Sequence, residues 1–412
     1  GFERYVATSQ PPLFVVVLGL LRLVAKSRLA MAVSLGALST VTVGLVWWAA
    51  RREFGRMAGL FALGFAALYV HVLIQGGLVM SEVLAQLLVG ALLVVAPDAL
   101  RHRRPVPVAA LGVLCGLLAL TRAELLLLVP VLGLALLARG LRSGGAPTNV
   151  ATTVRVLLAP AAFSLAFTAV YSPWYWYTNE VLGRPVPSSG AGFYQLATSC
   201  EPSLRGPLVG YRDEVCLANA YREIWDLEAT RLELDRRSDE LNWDEAAQDL
   251  AAERLAAADV NMLPVRGIRI ARGLGLYRPF DTANLEADEQ LQGPGWLANV
   301  QVLQWLMLMV LAVPGVIVAW RRRMPLEHVA GLAAATVIAL GLGFGLSRYR
   351  AALDPAVVLL AGVGAARLWA WARQALGGRP ADPSVASGRS QRSDELSDDL
   401  VDVGVGQGVV ER

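Results

Sequence analysis

The chain has 412 residues, of which 55% are hydrophobic and only 17% are charged. Soluble domains carry about 25% charged residues, so this composition excludes an ordinary soluble globular protein. A formal net charge of +3 gives no reason to expect a nucleic-acid partner.

Apolar stretches recur along the chain at about 20 residues, the length that crosses a bilayer as a helix. Backbone polar groups in lipid must be satisfied within the segment, which favours helices throughout. The stretch 13–24 is too short to cross, so we predict that it lies on the outer face of the membrane. Two short helices are predicted to form a hairpin within 106–138. The predicted spans are 29–50, 57–73, 78–96, 151–171, 300–320, 329–346 and 352–371. The predicted fold class is therefore an all-α polytopic membrane protein.

Arginines at the ends of these stretches predict the orientation of the chain. The cluster 321–323 directly follows the span at 300–320, and the positive-inside rule places such a cluster in the cytoplasm. The long polar insert before that span is then outside the cytoplasm. The same orientation puts Glu82 and 348–350 at the outer edge. It puts several other basic residues inside, namely Arg51, Arg52, Arg56, Arg101, Arg103, Arg104, Arg139 and Arg142.

Four domains are predicted from this arrangement. They are an N-terminal transmembrane module at 1–175, an extracytoplasmic insert at 176–298, C-terminal transmembrane helices at 299–375 and a disordered cytoplasmic tail at 376–412. The tail combines Gly, Ser, Pro and Asp with few apolar residues, a composition typical of disorder.

The insert is predicted to be mostly helical. Within it, 263–277 alternates arginines with aliphatic residues, which suits either a basic helix at the lipid surface or an amphipathic helix packed on the insert's own core. Cys200 and Cys216 lie sixteen positions apart in the insert. Outside the cytoplasm they could form a disulfide, and the alternative is two unpaired thiols.

Glu82 stands at the start of a predicted membrane helix. An ionisable residue there is costly unless it is solvated, paired or used in function. Glu82 is therefore a candidate active-site residue. The alternative is a carboxylate whose only effect is a favourable interaction with the helix dipole.

Arg348 and Arg350 flank Tyr349 at another predicted outer edge. Guanidinium groups present several donors in one plane, which suits recognition of phosphate. The alternative is that both side chains reach toward lipid headgroups. Arg122 and Glu124 lie at the apex of the predicted hairpin and are predicted to pair with each other in a structural role.

The sequence predicts no metal site, because its three histidines, His71, His102 and His328, are isolated from one another. It also lacks the glycine-rich motifs that hold nucleotide phosphates, so a nucleotide cofactor is not predicted.

Seven short motifs, in the same order, resemble those of the C-type (GT-C) membrane glycosyltransferases. That family includes polyprenyl-phosphate-sugar-dependent protein mannosyltransferases and lipid A aminoarabinose transferases. The motifs are Gln10-Pro11-Pro12-Leu13-Phe14, Ala49-Ala50-Arg51-Arg52-Glu53-Phe54-Gly55, Met80-Ser81-Glu82, Ala119-Leu120-Thr121-Arg122-Ala123-Glu124, Pro173-Trp174 with Asn179 and Gly183-Arg184, Gly275-Leu276-Tyr277-Arg278-Pro279, and Ser347-Arg348-Tyr349-Arg350. Val83 and Ala123 stand where the family usually has proline. The motif at 275–279 and the two cysteines of the insert resemble an actinobacterial branch.

The resemblance implies a GT-C-like helical bundle in the bacterial plasma membrane. It implies a hexosyl- or pentosyltransferase that moves a sugar from a polyprenyl-phosphate donor to a lipid, glycan or protein acceptor on the outer face. Glu82 would be catalytic, Arg348 and Arg350 would bind the donor phosphate, and Gln10 and Tyr349 would bind substrate. The cofactor is left open, with a divalent cation as one option.

The family's principal catalytic carboxylate normally precedes the Pro-Pro element. This chain begins at Gly1 rather than at Met, ten residues before Pro11. We therefore expect the true N-terminus, a first helix and that carboxylate to lie upstream, and we expect this fragment itself to be inactive.

Two alternatives stay open, a polytopic transporter or flippase and a non-catalytic membrane scaffold. Transporters place paired charges or broken helices near the middle of the bilayer. The polar residues of this sequence instead gather at the predicted outer edge.

Overall fold

The computed structural model describes residues 11–144, 150–182, 185, 191–206, 208–212, 215–216, 218–220, 222, 239–288 and 295–376. Gln10 and most of the predicted tail lie outside these ranges. The chain divides into two compact units, 1–365 and 366–412. The described part of the second unit is limited to 366–376, which completes the last helix and adds Leu376. The helix contacts and the candidate site lie in the first unit.

Every regular element within the described ranges is a helix. The first half of the chain holds α1 (Pro12–Val24), α2 (Arg28–Phe54), α3 (Arg56–Leu68), α4 (Val70–Gly77), α5 (Ser81–His102), α6 (Pro105–Ala119), a 3-10 helix (Ala123–Leu127), α7 (Leu128–Gly144) and α8 (Val150–Leu182). The remainder holds α9 (Ala191–Ser199), α10 (Glu201–Leu204), α11 (Asp239–Ala257), α12 (Met262–Gly273), α13 (Pro279–Glu286), α14 (Gly295–Arg321), α15 (Glu327–Leu342), a 3-10 helix (Ser347–Arg350) and α16 (Asp354–Ala375).

The predicted all-α polytopic membrane class is confirmed. By length and composition, six stretches of the described chain can cross a membrane: Arg28–Phe54, Ser81–His102, Ala123–Arg142, Val156–Glu180, Gly295–Arg321 and Asp354–Ala375. The bent pair α3 and α4 would make a seventh. The predicted hairpin at 106–138 corresponds to α6 and α7, whose turn holds Arg122. α8 continues to Leu182, past the predicted start of the insert, since no glycine or proline occurs between Pro173 and that residue to end it.

The predicted span at 57–73 is broken at Tyr69, where α3 and α4 meet at 52°. A break in lipid leaves backbone groups open, at a cost of several kcal/mol each. The Gln304 side chain of α14 satisfies one such group on each side of the break. Its Oε1 accepts from the Val70 amide at 2.8 Å, and its Nε2 donates to the Leu68 carbonyl at 2.9 Å. One amide from a neighbouring helix therefore stabilises the bend.

Glycines bring α14 and α16 into close contact. A Cβ added at Gly315 of α14 would collide with the Leu360 carbonyl of α16, and one added at Gly364 would collide with the Leu311 carbonyl. Membrane helices usually meet at small residues, which let the backbones approach closely. Close packing is needed there because the hydrophobic effect does not favour association of helices in lipid.

Helix α12 carries arginines on its buried face. Arg269 donates to the Thr198 carbonyl at 2.8 Å, and burial lowers the pKa of Arg269 to about 10. Arg272 lies over the rings of Tyr211 and Tyr277. Gly273 packs against Leu340 of α15. Of the two alternatives for 263–277, a packed amphipathic helix describes the structure, and it packs on α15 as well as on the insert.

Residues that the topology prediction assigns to the cytoplasm contact one another. Arg101 Nη1 lies 2.7 Å from Glu53 Oε2, and Arg139 Nη2 lies 2.6 Å from Glu327 Oε1. These ion pairs join the ends of α2, α5, α7 and α15. Residues predicted to lie outside the cytoplasm also contact one another. The membrane side of each of the two groups stays a prediction.

At the predicted outer group, the Leu13 amide donates to the Leu120 carbonyl of the hairpin turn at 2.9 Å. The Gly345 amide donates to the Gly210 carbonyl at 2.8 Å. The insert therefore contacts the segment that precedes the second 3-10 helix.

We expect Gly315→Ala to lower the free energy of unfolding by about 1–3 kcal/mol, because the added methyl group collides with fixed backbone. Gly44→Ala is the matched control, since Gly44 also lies inside a 27-residue helix and has nothing within 4 Å of the added Cβ. Thermal unfolding in detergent measures both. Equal melting temperatures for the two variants would contradict the packing.

The structure joins Cys200 and Cys216 in a disulfide, with their Cα atoms 6.1 Å apart. We expect non-reducing mass spectrometry of the protein purified from membranes to find the two cysteine peptides linked. Cys115, which is buried in α6, serves as the internal control for an unpaired thiol. Alkylation of Cys200 and Cys216 without prior reduction would argue against the bond.

Candidate functional site

Glu82 lies in the first turn of α5, and its side chain is 1% exposed. Its Oε1 is 2.9 Å from Arg122 Nη1 and 3.2 Å from Arg348 Nε. One buried carboxylate oxygen is therefore shared by two guanidinium groups. The residues come from α5, the hairpin turn and the second 3-10 helix, so the contact joins three distant parts of the sequence.

The two arginines differ in access. Arg122 is 6% exposed and also pairs with Glu124 through its Nε, so its charge is matched by two carboxylates. The Arg348 side chain is 29% exposed. An anion can therefore reach Arg348 but not Glu82 or Arg122.

Tyr349 supports both guanidinium groups with its ring. The Arg122 and Arg348 Cζ atoms lie 5.4 and 5.7 Å from the ring centroid. Phe344 packs edge-on against the same ring. Cation–π contacts of this kind contribute about 0.5–2 kcal/mol each, so Tyr349 helps to hold the two like charges close together.

Arg350 belongs to a neighbouring buried cluster. Its Nη1 donates to the Gly273 carbonyl at 3.1 Å, and its guanidinium lies 4.3 Å from the Trp305 ring centroid. Its Nε is 4.0 Å from Asp354 Oδ1, and His71 Nε2 is 3.6 Å from Asp354 Oδ2. These contacts anchor the 3-10 helix to α12 and α14.

Glu286 holds the start of the same 3-10 helix. Its two carboxylate oxygens accept from the Ser347 amide and from the Ser347 hydroxyl. Burial raises the pKa of Glu286, and the two bonds from Ser347 oppose that rise without cancelling it. Because Glu286 is the last residue of α13, the insert directly positions Arg348, the next residue after Ser347.

A cavity of about 20 Å³ lies beside Arg348. Its lining comes from α4, α13, α14 and the second 3-10 helix: His71, Ile74, Gln75, Leu78, Ala283, Glu286, Ala298, Gln301, Ser347 and Arg348.

Of the predicted site residues, the structure brings together Glu82, Arg348 and Tyr349. It places Arg350 in the adjoining cluster, and Gln10 lies outside the described residues. The disulfide cysteines lie in the insert. Sequence reasoning missed Glu286 and the polar cavity lining. Gln301 was detectable in principle, since it is an amide inside a predicted span. Gln75 falls between the predicted spans 57–73 and 78–96, and nothing local distinguishes Glu286 from other acidic residues of the insert.

The described residues include no group of three or more His, Cys, Asp and Glu side chains arranged to hold a metal ion. The charge around Glu82 also disfavours a bound cation, because its carboxylate already contacts two arginines. A divalent cation at that carboxylate would meet their positive charge. The donor set around Glu82 therefore does not fit a resident metal.

No family model and no curated protein matches this chain. Among solved structures, the chain is similar to the apo form of the Archaeoglobus fulgidus oligosaccharyltransferase, at 15% sequence identity and a TM-score of 0.42. The similarity covers 90% of this chain and 46% of that one, so this chain spans about half the length of the archaeal protein. A similarity this low carries no argument about the chemistry of the site.

We expect Arg122→Leu to lower the free energy of unfolding by about 3–5 kcal/mol, because it leaves a buried carboxylate with half of its counter-charge. Arg139→Leu is the control, since the Arg139–Glu327 pair is partly exposed, and such pairs contribute about 0–1 kcal/mol. Unfolding titrations in mixed micelles compare the two variants. A loss for Arg122→Leu no larger than the control's would show that the buried pair is not a constraint on the fold.

Proposed function

We propose that the protein is a C-type membrane glycosyltransferase. The observation that supports this best is the meeting of three widely spaced motifs, those of Glu82, Arg122 and Arg348, in one buried site. Each motif by itself resembles the family. Their convergence on one carboxylate is what a shared active site requires.

The proposed substrate is a sugar carried on a polyprenyl phosphate, and the proposed acceptor is a lipid, glycan or protein hydroxyl. During transfer, the bond between the anomeric carbon and the phosphate oxygen breaks, and a bond to the acceptor oxygen forms. The proton of the acceptor hydroxyl passes to a general base, proposed to be the family's principal catalytic carboxylate rather than Glu82. The polyprenyl phosphate leaves with the negative charge, which must be stabilised as it develops. Arg348 suits that role, because its planar guanidinium is partly exposed.

Glu82 is proposed to act through Arg348. A carboxylate clamped by two guanidinium groups is a poor proton acceptor, because protonation would leave both cations unbalanced. Its buried oxygen instead fixes Arg348 Nε and leaves the rest of the guanidinium for phosphate. Arg122 and Tyr349 hold that arrangement. Arg350, buried against Trp305, is proposed to anchor the 3-10 helix rather than to contact the donor.

The reaction is proposed to take place on the outer face of a bacterial plasma membrane. The positive-inside assignment supports that side, and the insert contacts the same 3-10 helix through Glu286. The insert is therefore the proposed location of acceptor recognition.

A transporter is the second candidate, because two observations are typical of that class. α3 and α4 form a broken helix, and His71, Asp354 and Arg350 form a buried polar cluster. Broken helices and buried charges near the middle of the bilayer often form substrate sites in transporters.

The test is an assay of the full-length gene product in proteoliposomes with labelled polyprenyl-phosphate sugars. Glu82→Gln should lower kcat/KM about 100-fold, because the phosphate ligand is no longer held in place, while the protein keeps its expression level. The loss should fall mainly on the KM for the donor. Glu327→Gln is the matched control, since Glu327 also pairs with an arginine but at the other ionic group.

Wild-type kinetics in Glu82→Gln would remove Glu82 from the site. Movement of labelled lipid between leaflets without a new glycosidic bond would instead favour the transporter.

A further inference from the structure

The cavity beside Arg348 is partly open, and polar and apolar side chains line it together. At about 20 Å³ it has room for a water-sized polar group, since about 10–15 Å³ is the minimum for a water molecule. A single hydroxyl group of a ligand fits this space.

Gln75 presents an unused acceptor to this cavity. Its side chain is 5% exposed, and its buried Oε1 accepts no hydrogen bond from any part of the chain that the structure describes. An orphaned buried acceptor has lost its hydrogen bond to water without gaining another, which is unfavourable. A ligand hydroxyl that donates to Gln75 Oε1 would recover that cost.

Two of the other polar walls have hydrogen-bond partners of their own. Gln301 Nε2 lies 2.6 Å from His71 Nδ1, and Glu286 accepts both bonds from Ser347.

His71 Nε2 and Arg348 Nε also lack a hydrogen-bond partner in the described part of the chain, but they lie 3.6 Å from Asp354 and 3.2 Å from Glu82, respectively. Gln75 Oε1 is the amide acceptor among these three unmatched atoms of the lining. This arrangement favours a specific small donor over a general solvent pocket.

The walls also restrict the charge of the occupant. Arg348 and Glu286 both line the cavity, so an ammonium group would meet the arginine and a carboxylate would meet the glutamate. A neutral hydroxyl avoids both contacts.

Arg348 connects the cavity to the proposed phosphate site, since it lines the former and contacts Glu82 in the latter. A sugar whose phosphate binds Arg348 lies within reach of the cavity. We propose that the cavity is a specificity subsite for one hydroxyl group of a neutral donor sugar, with Gln75 as the residue that recognises it. This proposal rests on the proposed function.

The test uses the full-length gene product in nanodiscs and a panel of citronellyl-phosphate hexoses and pentoses. The sugar that the wild type transfers is then compared with its monodeoxy analogues, in the wild type and in Gln75→Met. Methionine keeps the length of glutamine and removes the acceptor. Gln86→Met is the matched control, because Gln86 is fully buried on α5 and does not line the cavity.

We expect Gln75→Met to lower kcat/KM for the parent sugar about tenfold, the effect of one lost hydrogen bond. For one monodeoxy analogue the same substitution should change kcat/KM by less than about twofold, since the group that Gln75 binds is already missing. The Gln75→Met substitution and the removal of that hydroxyl group are then energetically coupled in a double-mutant cycle. Gln86→Met should show no such coupling.

If the wild type transfers a panel sugar and Gln75→Met lowers kcat/KM by the same factor for every analogue, the subsite is overturned. The proposed function still stands in that case. Coupling to acceptor analogues rather than to donor analogues would also overturn the subsite. Absence of transfer of any panel sugar would count against the proposed function itself. Should Gln75→Met not fold, Gln75→Leu provides the same comparison.

Discussion

The buried carboxylate of Glu82 is the constraint on which the rest of the site depends. A charged group in a membrane protein is costly unless it is paired, and this one is shared by Arg122 and Arg348. Removing the buried Arg122 leaves the buried carboxylate with half of its counter-charge, which costs more than the pair itself contributes. The charge balance therefore obliges α5, the hairpin turn and the second 3-10 helix to meet at one point.

The same 3-10 helix connects the membrane helices to the insert. Ser347 is held by Glu286 of α13, and Arg350 is held by the Gly273 carbonyl of α12. Tyr349 lies between them under two guanidinium groups. The 3-10 helix therefore contacts α13 through Ser347, Glu82 through Arg348 and α12 through Arg350. These contacts tie the position of Arg348 to α12 and α13.

Several features of the structure were beyond sequence reasoning for identifiable reasons. The break at Tyr69 depends on Gln304, a residue more than 230 positions away in the chain. The alternation in 263–277 suited a lipid-surface helix and a packed helix equally, and the structure buries Arg269, whose guanidinium donates to the Thr198 carbonyl. Arg350 was grouped with Arg348 by proximity in sequence. A turn of 3-10 helix sends neighbouring side chains in different directions, and only one of the two reaches Glu82.

The sequence by itself determined the all-helical membrane class, the approximate spans, the hairpin, and Glu82, Arg348 and Tyr349 as candidate site residues. Hydropathy, segment length and the cost of a charge in lipid are local properties, so they can be read along the chain. Only the tertiary structure decided that Arg122 is a partner of Glu82, that Arg350 is an anchor, and that Gln75 lines a cavity beside Arg348. Those facts depend on which helices pack side by side, and packing is set by contacts such as that of Gly315 with Leu360, which no local pattern specifies.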